Sequence, residues 1–100
     1  MTLDDLRRRR DQILRVAAAG GASNVRVFGS VARGTADERS DVDLLVELQE
    51  PRPHGFDYFG RIDALQRALA AELGLQVHVA EIRDAGNPMA QDILAEAVPL

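Results

Sequence analysis

The segment Val25-Arg26-Val27-Phe28 runs directly into Gly29-Ser30, and after a short gap Ser40-Asp41-Val42-Asp43 opens a second apolar run, Leu44-Leu45-Val46. No other feature constrains the fold as much. β-Branched and aromatic residues favour a strand up to the glycine. Glycine takes backbone angles other residues avoid and lets a ligand approach the main chain closely. Ser30 is suited to cap a short helical turn through Val31, Ala32 and Arg33. The unpaired N–H groups at such a start, with the positive end of the helix dipole, attract phosphate oxygens. Arg33, one turn along, reaches toward the same anion.

Asp41 and Asp43 are two residues apart, so in an extended chain their side chains leave the same face, with Cα atoms roughly 6.5 Å apart. Oxygen ligands of this kind suit Mg²⁺, which takes one or two carboxylates and completes its shell with water and substrate phosphates. Leu44, Leu45 and Val46 are apolar on both faces, which predicts a buried strand holding the acidic pair at its exposed beginning. An EF-hand is excluded, because those three residues stand where its loop needs further oxygen ligands and a glycine. A Walker loop is excluded too, since the chain has no lysine. Alone, a Gly-Ser after a strand is an ordinary turn and an Asp-x-Asp an ordinary helix cap. Their combination in this order is far more specific.

Gly29 to Gly34 with Ser40 to Val46 resembles the signature of the DNA polymerase β nucleotidyltransferase superfamily, in the minimal nucleotidyltransferase group (MNT-domain, MntA-like antitoxins). The resemblance spans almost the whole chain, including Ile93-Leu94-Ala95-Glu96-Ala97-Val98-Pro99-Leu100. It implies that Gly29 and Ser30, with Arg33 beside them, bind the phosphates of ATP. It further implies that Asp41 and Asp43 are catalytic and hold the divalent metal, Mg²⁺ or alternatively Mn²⁺. The implied reaction is attack of a hydroxyl on the α-phosphate of ATP, with AMP transferred to a tyrosine of a HEPN-type toxin. The alternative it leaves open is neutralisation of that toxin by binding alone. An aminoglycoside-type small-molecule transferase is a weaker option, opposed by the lack of a substrate domain.

In the family a third carboxylate stands mid-strand after the long helix, whereas this chain has Val77-His78-Val79 there. His78 therefore enters as the third catalytic candidate. An imidazole ligates metal or takes a proton near neutral pH, but it supplies no negative charge. Glu81 would face the other side of a regular strand, which makes it a poor replacement for the aspartate.

One hundred residues, 46% of them hydrophobic, suffice for one core, so residues 1–100 are expected to form a single domain. The absence of cysteine fits a reducing compartment, and no apolar run approaches the roughly 20 residues of a membrane span, so a cytoplasmic location is expected. A net charge of −4 and a pI near 5.0 argue against direct nucleic-acid binding, which needs a basic face.

Elsewhere, Thr2 caps a first helix carrying Leu6, Ile13, Leu14 and Ala17 on one stripe and ending at Gly20-Gly21. Its Arg7 to Arg10 run reads as a solvated face balanced by Asp4, Asp5 and Asp11. Glu50 to Gly55 is a proline-broken loop bearing His54. A helix follows over Asp57 to Leu73, with Phe59, Ile62, Leu65, Leu69 and Leu73 inward, Tyr58 near its start and Gly74 as its stop. Leu75 to Ile82 reads as a third strand, and Asn87-Pro88 opens a last helix with Met89, Ile93, Leu94 and Ala97 inward. The expected order is α-β-α-β-α-β-α, an α/β (α+β) fold with a small mixed sheet, flanking helices and a palm-like core.

Overall fold

The computed structural model describes residues 1–50, 55–81 and 90–100. His54, Ile82, Asn87, Pro88 and Met89 lie outside them. The elements are α1 (Leu3–Arg8), α2 (Arg10–Ala19), β1 (Ala22–Phe28), α3 (Gly29–Arg33), β2 (Val42–Leu48), α4 (Phe56–Leu73), β3 (Val77–Glu81), α5 (Ala90–Glu96) and β4 (Val98–Pro99).

The sheet has the order β3-β2-β1-β4. β1 is antiparallel to both β2 and β4, whereas β2 and β3 run parallel. Parallel neighbours need a crossover, and α4 supplies it. It packs on both α2 and β3. Central strand β2 buries Val42, Leu44, Leu45, Val46 and Leu48, so it is apolar on both faces, as its sequence predicts. Leu6, Ile13, Ala17, Leu65, Leu69 and Leu73 from the helices close the core over the sheet. Each fully buried Leu or Ile contributes roughly 1.5–3 kcal/mol relative to exposure.

The single first helix expected from the sequence is two helices. Arg9, at φ −103° and ψ 15°, leaves helical angles between α1 and α2. Neither Gly nor Pro marks the break; a long-range contact sits there instead. The Arg9 guanidinium donates to the Glu72 carbonyl (2.6 Å) and the Leu73 carbonyl (3.3 Å) at the end of α4. A cation at a helix C-terminus also meets the negative end of the dipole. Arg7 donates to the Pro99 carbonyl at 3.0 Å, so the basic run is partly a set of ties and not only a solvated face.

Phe59 is a second correction: it is 69% exposed. At about 100° per residue it is rotated roughly 120° from Leu65, whereas Tyr58 lies within about 20° of that stripe. Tyr58 accordingly packs on the core, and Phe59 meets it edge-on, with ring centroids 5.4 Å apart. Leu94, expected inward, is likewise 41% exposed. The last helix stops at Glu96 because Val98–Pro99 turns into β4, pairing with Arg26 and Val27. This edge strand had no counterpart in the expected order. Proline is tolerated at such an edge because its missing N–H faces no ladder partner. Gly74, by contrast, ends α4 as predicted, left-handed at φ 69° and donating to the Ala70 carbonyl at 2.8 Å. Among the described residues no helix is long and apolar enough to cross a membrane.

Thr2 and Asp5 cap α1 reciprocally: Thr2 Oγ1 accepts from Asp5 N at 3.1 Å, and Asp5 Oδ2 accepts from Thr2 N at 3.0 Å. The Thr2 backbone N–H foremost, and then the Thr2 side chain, hold the Asp5 carboxyl below its ordinary range. A depressed acid stabilises the fold above its unfolded value, and that contribution disappears as pH falls through the depressed one. Thr2→Ala is expected to cost about 1 kcal/mol. Urea melts at neutral pH check this; an unchanged midpoint would show that the cap contributes nothing.

Candidate functional site

Phe28, the last residue of β1, pairs with Asp43 of β2. The chain then turns sharply. Gly29 is buried at φ +74°, and a Cβ placed on it would lie 3.0 Å from Asp43 Cγ and nearer still to Oδ2. Glycine is thus required twice, by the backbone angle and by the carboxylate packed against it. α3 begins at Gly29 itself, with extended Phe28 in the N-cap position. That corrects the expectation of Ser30 as cap: Ser30 is already inside the helix. There its carbonyl accepts from Thr35 N at 2.9 Å as Gly34, left-handed at φ 77°, closes the turn.

On the other side of Asp43, the parallel register sets it beside His78. Neighbouring residues of paired strands project from the same sheet face. In β3, Val77, Val79 and Glu81 are buried while His78 is exposed, so Glu81 lies on the opposite face, as its spacing predicts. Partial burial raises the Asp43 carboxyl above the ordinary aspartate range; the facing His78 opposes this and Asp41 adds to it. Asp41 precedes β2, is exposed, and with His78 lines a cavity of about 290 Å³ shared with Asp63, Gln66, Arg67 and Gln76. Among the described residues no three His, Cys, Asp or Glu side chains converge into a ready-made cation site.

Arg33 is engaged by a residue that the sequence reading did not single out as functional. Its guanidinium forms an ion pair with Glu96 at the end of α5, and Glu96 Oε2 also accepts from Gly29 N at 3.1 Å. These residues border a second cavity, of about 380 Å³, with Phe28, Asp92 and Ile93. A glutamate near the end of a short helix carries no local signal of such a role. The fold therefore gathers Gly29, Asp43 and His78 across three neighbouring segments, keeps Asp41 at their margin, and turns Arg33 toward Glu96.

Comparison with known proteins gives this arrangement a lineage. Residues 8–100 match the nucleotidyltransferase domain family. The protein adenylyltransferase MntA of Thermococcus cleftensis is 35% identical over 78 residues, covering 78% of this chain and 74% of that protein. A solved structure assigned provisionally as a minimal nucleotidyltransferase superposes with a TM-score of 0.78 at 42% identity, covering 100% of this chain and 97% of the other. A crystal structure of a toxin-antitoxin with AMP-PNP shares the fold at 20% identity, with a TM-score of 0.69, over 89% of this chain and 69% of that one. By its residues, its sheet and these likenesses, the chain belongs to the nucleotidyltransferase domain family and is a relative of the minimal nucleotidyltransferases.

Proposed function

We propose that the protein is an antitoxin of the adenylyltransferase type, moving AMP from ATP to a tyrosine hydroxyl of a HEPN-type toxin. The observation that carries the reading is Gly29: a buried, left-handed glycine with the Asp43 carboxylate packed where its side chain would be. This brings the backbone N–H donor of a turn and a metal-type carboxylate into one place. The likeness to a protein adenylyltransferase supports the choice of reaction, and the fold shared with a toxin-antitoxin supports the choice of partner.

The donor chemistry fits Mg²⁺ that arrives with the nucleotide. Two carboxylates, Asp41 and Asp43, are what this ion usually takes from protein, the rest of its shell being water and phosphate oxygens. When bound, Mg²⁺ neutralises phosphate charge. Phosphoryl-type transfer then asks little more of the protein than positioning and electrostatics. Gly29 N–H, Ser30 and Arg33 orient the phosphates. His78, beside Asp43, accepts the proton of the tyrosine hydroxyl as its oxygen bonds to the α-phosphorus; the bond to the β-phosphate oxygen breaks and pyrophosphate leaves.

His78 also favours a second reading, in which the chain masks its toxin without chemistry, because an imidazole replaces negative charge at the third position. The test is incubation of the toxin encoded beside this gene with ATP and metal, followed by intact mass, for wild type and His78→Asp. The enzyme reading expects an AMP adduct with wild type, and a higher ratio of Mg²⁺ to Mn²⁺ activity in the variant, because a carboxylate suits the harder ion. No adduct with either protein, while co-expression still relieves toxicity, would leave only masking.

A further inference from the structure

We infer that Glu96 is a built-in competitor for the groups that receive the nucleotide's phosphates, so that the C-terminal helix gates the site. This rests on the nucleotide reading above. Glu96 places an anion on two of the proposed phosphate-binding groups: its Oε2 accepts from Gly29 N at 3.1 Å, and its Oε1 is paired with Arg33. The Arg33 bond foremost, and then the Gly29 N–H, hold the Glu96 carboxyl below the ordinary glutamate range, so it is charged at neutral pH.

The same contact is built to yield. Glu96 is the last residue of α5, where the helix dipole disfavours a negative charge, so the carboxylate depends on partners outside its own helix. Both side chains of the pair reach water, Arg33 at 55% and Glu96 at 26%, and solvent-exposed pairs are weak. A triphosphate brings more charge and more acceptor oxygens to the same donors. The chain just beyond is fixed: Val98 and Pro99 pair with β1, Leu100 N donates to the Val25 carbonyl at 3.3 Å, and Arg7 holds the Pro99 carbonyl. Release therefore needs the Glu96 side chain to swing, or α5 to tilt, while the end of the chain stays in place. The adjoining cavity of about 380 Å³ provides the space.

Competition of this kind lowers apparent affinity by the fraction of molecules in which the site is open. If the carboxylate occupies it in roughly 70–90% of molecules, its removal tightens binding about 3- to 10-fold. The test is calorimetric titration of wild type, Glu96→Gln and Glu96→Ala with ATP and Mg²⁺, alongside the ¹H–¹⁵N spectrum of each protein. Glu96→Ala is expected to bind about 3- to 10-fold tighter, Glu96→Gln to fall between, and the Gly29 amide resonance to move in the nucleotide-free Ala variant. Equal or weaker binding by both variants overturns the competitor role alone. So does a Gly29 amide that stays in place. Absence of ATP binding in all three proteins overturns the nucleotide reading and the competitor with it.

Discussion

Asp43→Asn is expected to lower AMP transfer at least about 100-fold, as loss of one charge-stabilising group typically does, while raising the melting temperature of the metal-free protein. The two effects share one cause. Asp43 keeps a carboxylate half-buried against Gly29, and burial pushes its proton affinity up. A folded-state value above the unfolded one means that the fold is penalised once pH exceeds both. Stability of the metal-free wild type should therefore fall as pH rises from the ordinary aspartate range through the raised value. The Asn variant lacks this loss because it has nothing to ionise there. It keeps the shape that packs on Gly29, so the lost activity cannot be ascribed to misfolding. Calorimetric melts at several pH values and intact-mass assays of the partner check both halves. A variant that melts lower than wild type at neutral pH, or one that transfers AMP normally, contradicts the role assigned to this carboxylate. The Asp41→Asn, Asp43→Asn double variant extends the test to cells: if it still protects them, masking alone suffices.

Gly29→Ala is expected to destabilise the fold by about 2–3 kcal/mol, the combined cost of a left-handed backbone in an L-residue and of displacing a neighbouring side chain. For a domain of this size that corresponds to a melting temperature lower by roughly 10–20 °C. The steric part should depend on Asp43, whose Cγ would lie 3.0 Å from the added methyl. In a double-mutant cycle, Asp43→Ala should relieve that part and leave the backbone part, because coupling appears where side chains touch. Additive effects would show that the contact is not made in solution. Nucleotide binding should be lost in Gly29→Ala even below its melting temperature, since the methyl pushes Asp43 away from the turn.

Much of this molecule is written locally. The Val25–Phe28 run, the apolar Leu44-Leu45-Val46 and the Leu65, Leu69, Leu73 stripe each announce their element through side-chain periodicity, because burial of one face is what makes the element stable. Gly74 announces its stop through backbone freedom, and Gly29 its turn. The pairing of Gly29-Ser30 with Asp41-x-Asp43 was legible because a close approach and a doubled charge are rare in combination. What no local rule contains is who meets whom. Arg9 interrupts a helix with neither Gly nor Pro, at the place where its guanidinium finds the carbonyls ending α4. Phe59 has the chemistry of the core and the wrong angle for it, and Val98–Pro99 becomes a strand only because β1 offers an edge. Glu96 is the clearest case: in the sequence it is one more acid near a chain end, and only the return of α5 to the first turn brings it onto Gly29 and Arg33. Periodicity and backbone freedom act over a few residues and can be read from them, whereas charge and hydrogen-bond partners are chosen through space, after the sheet has closed.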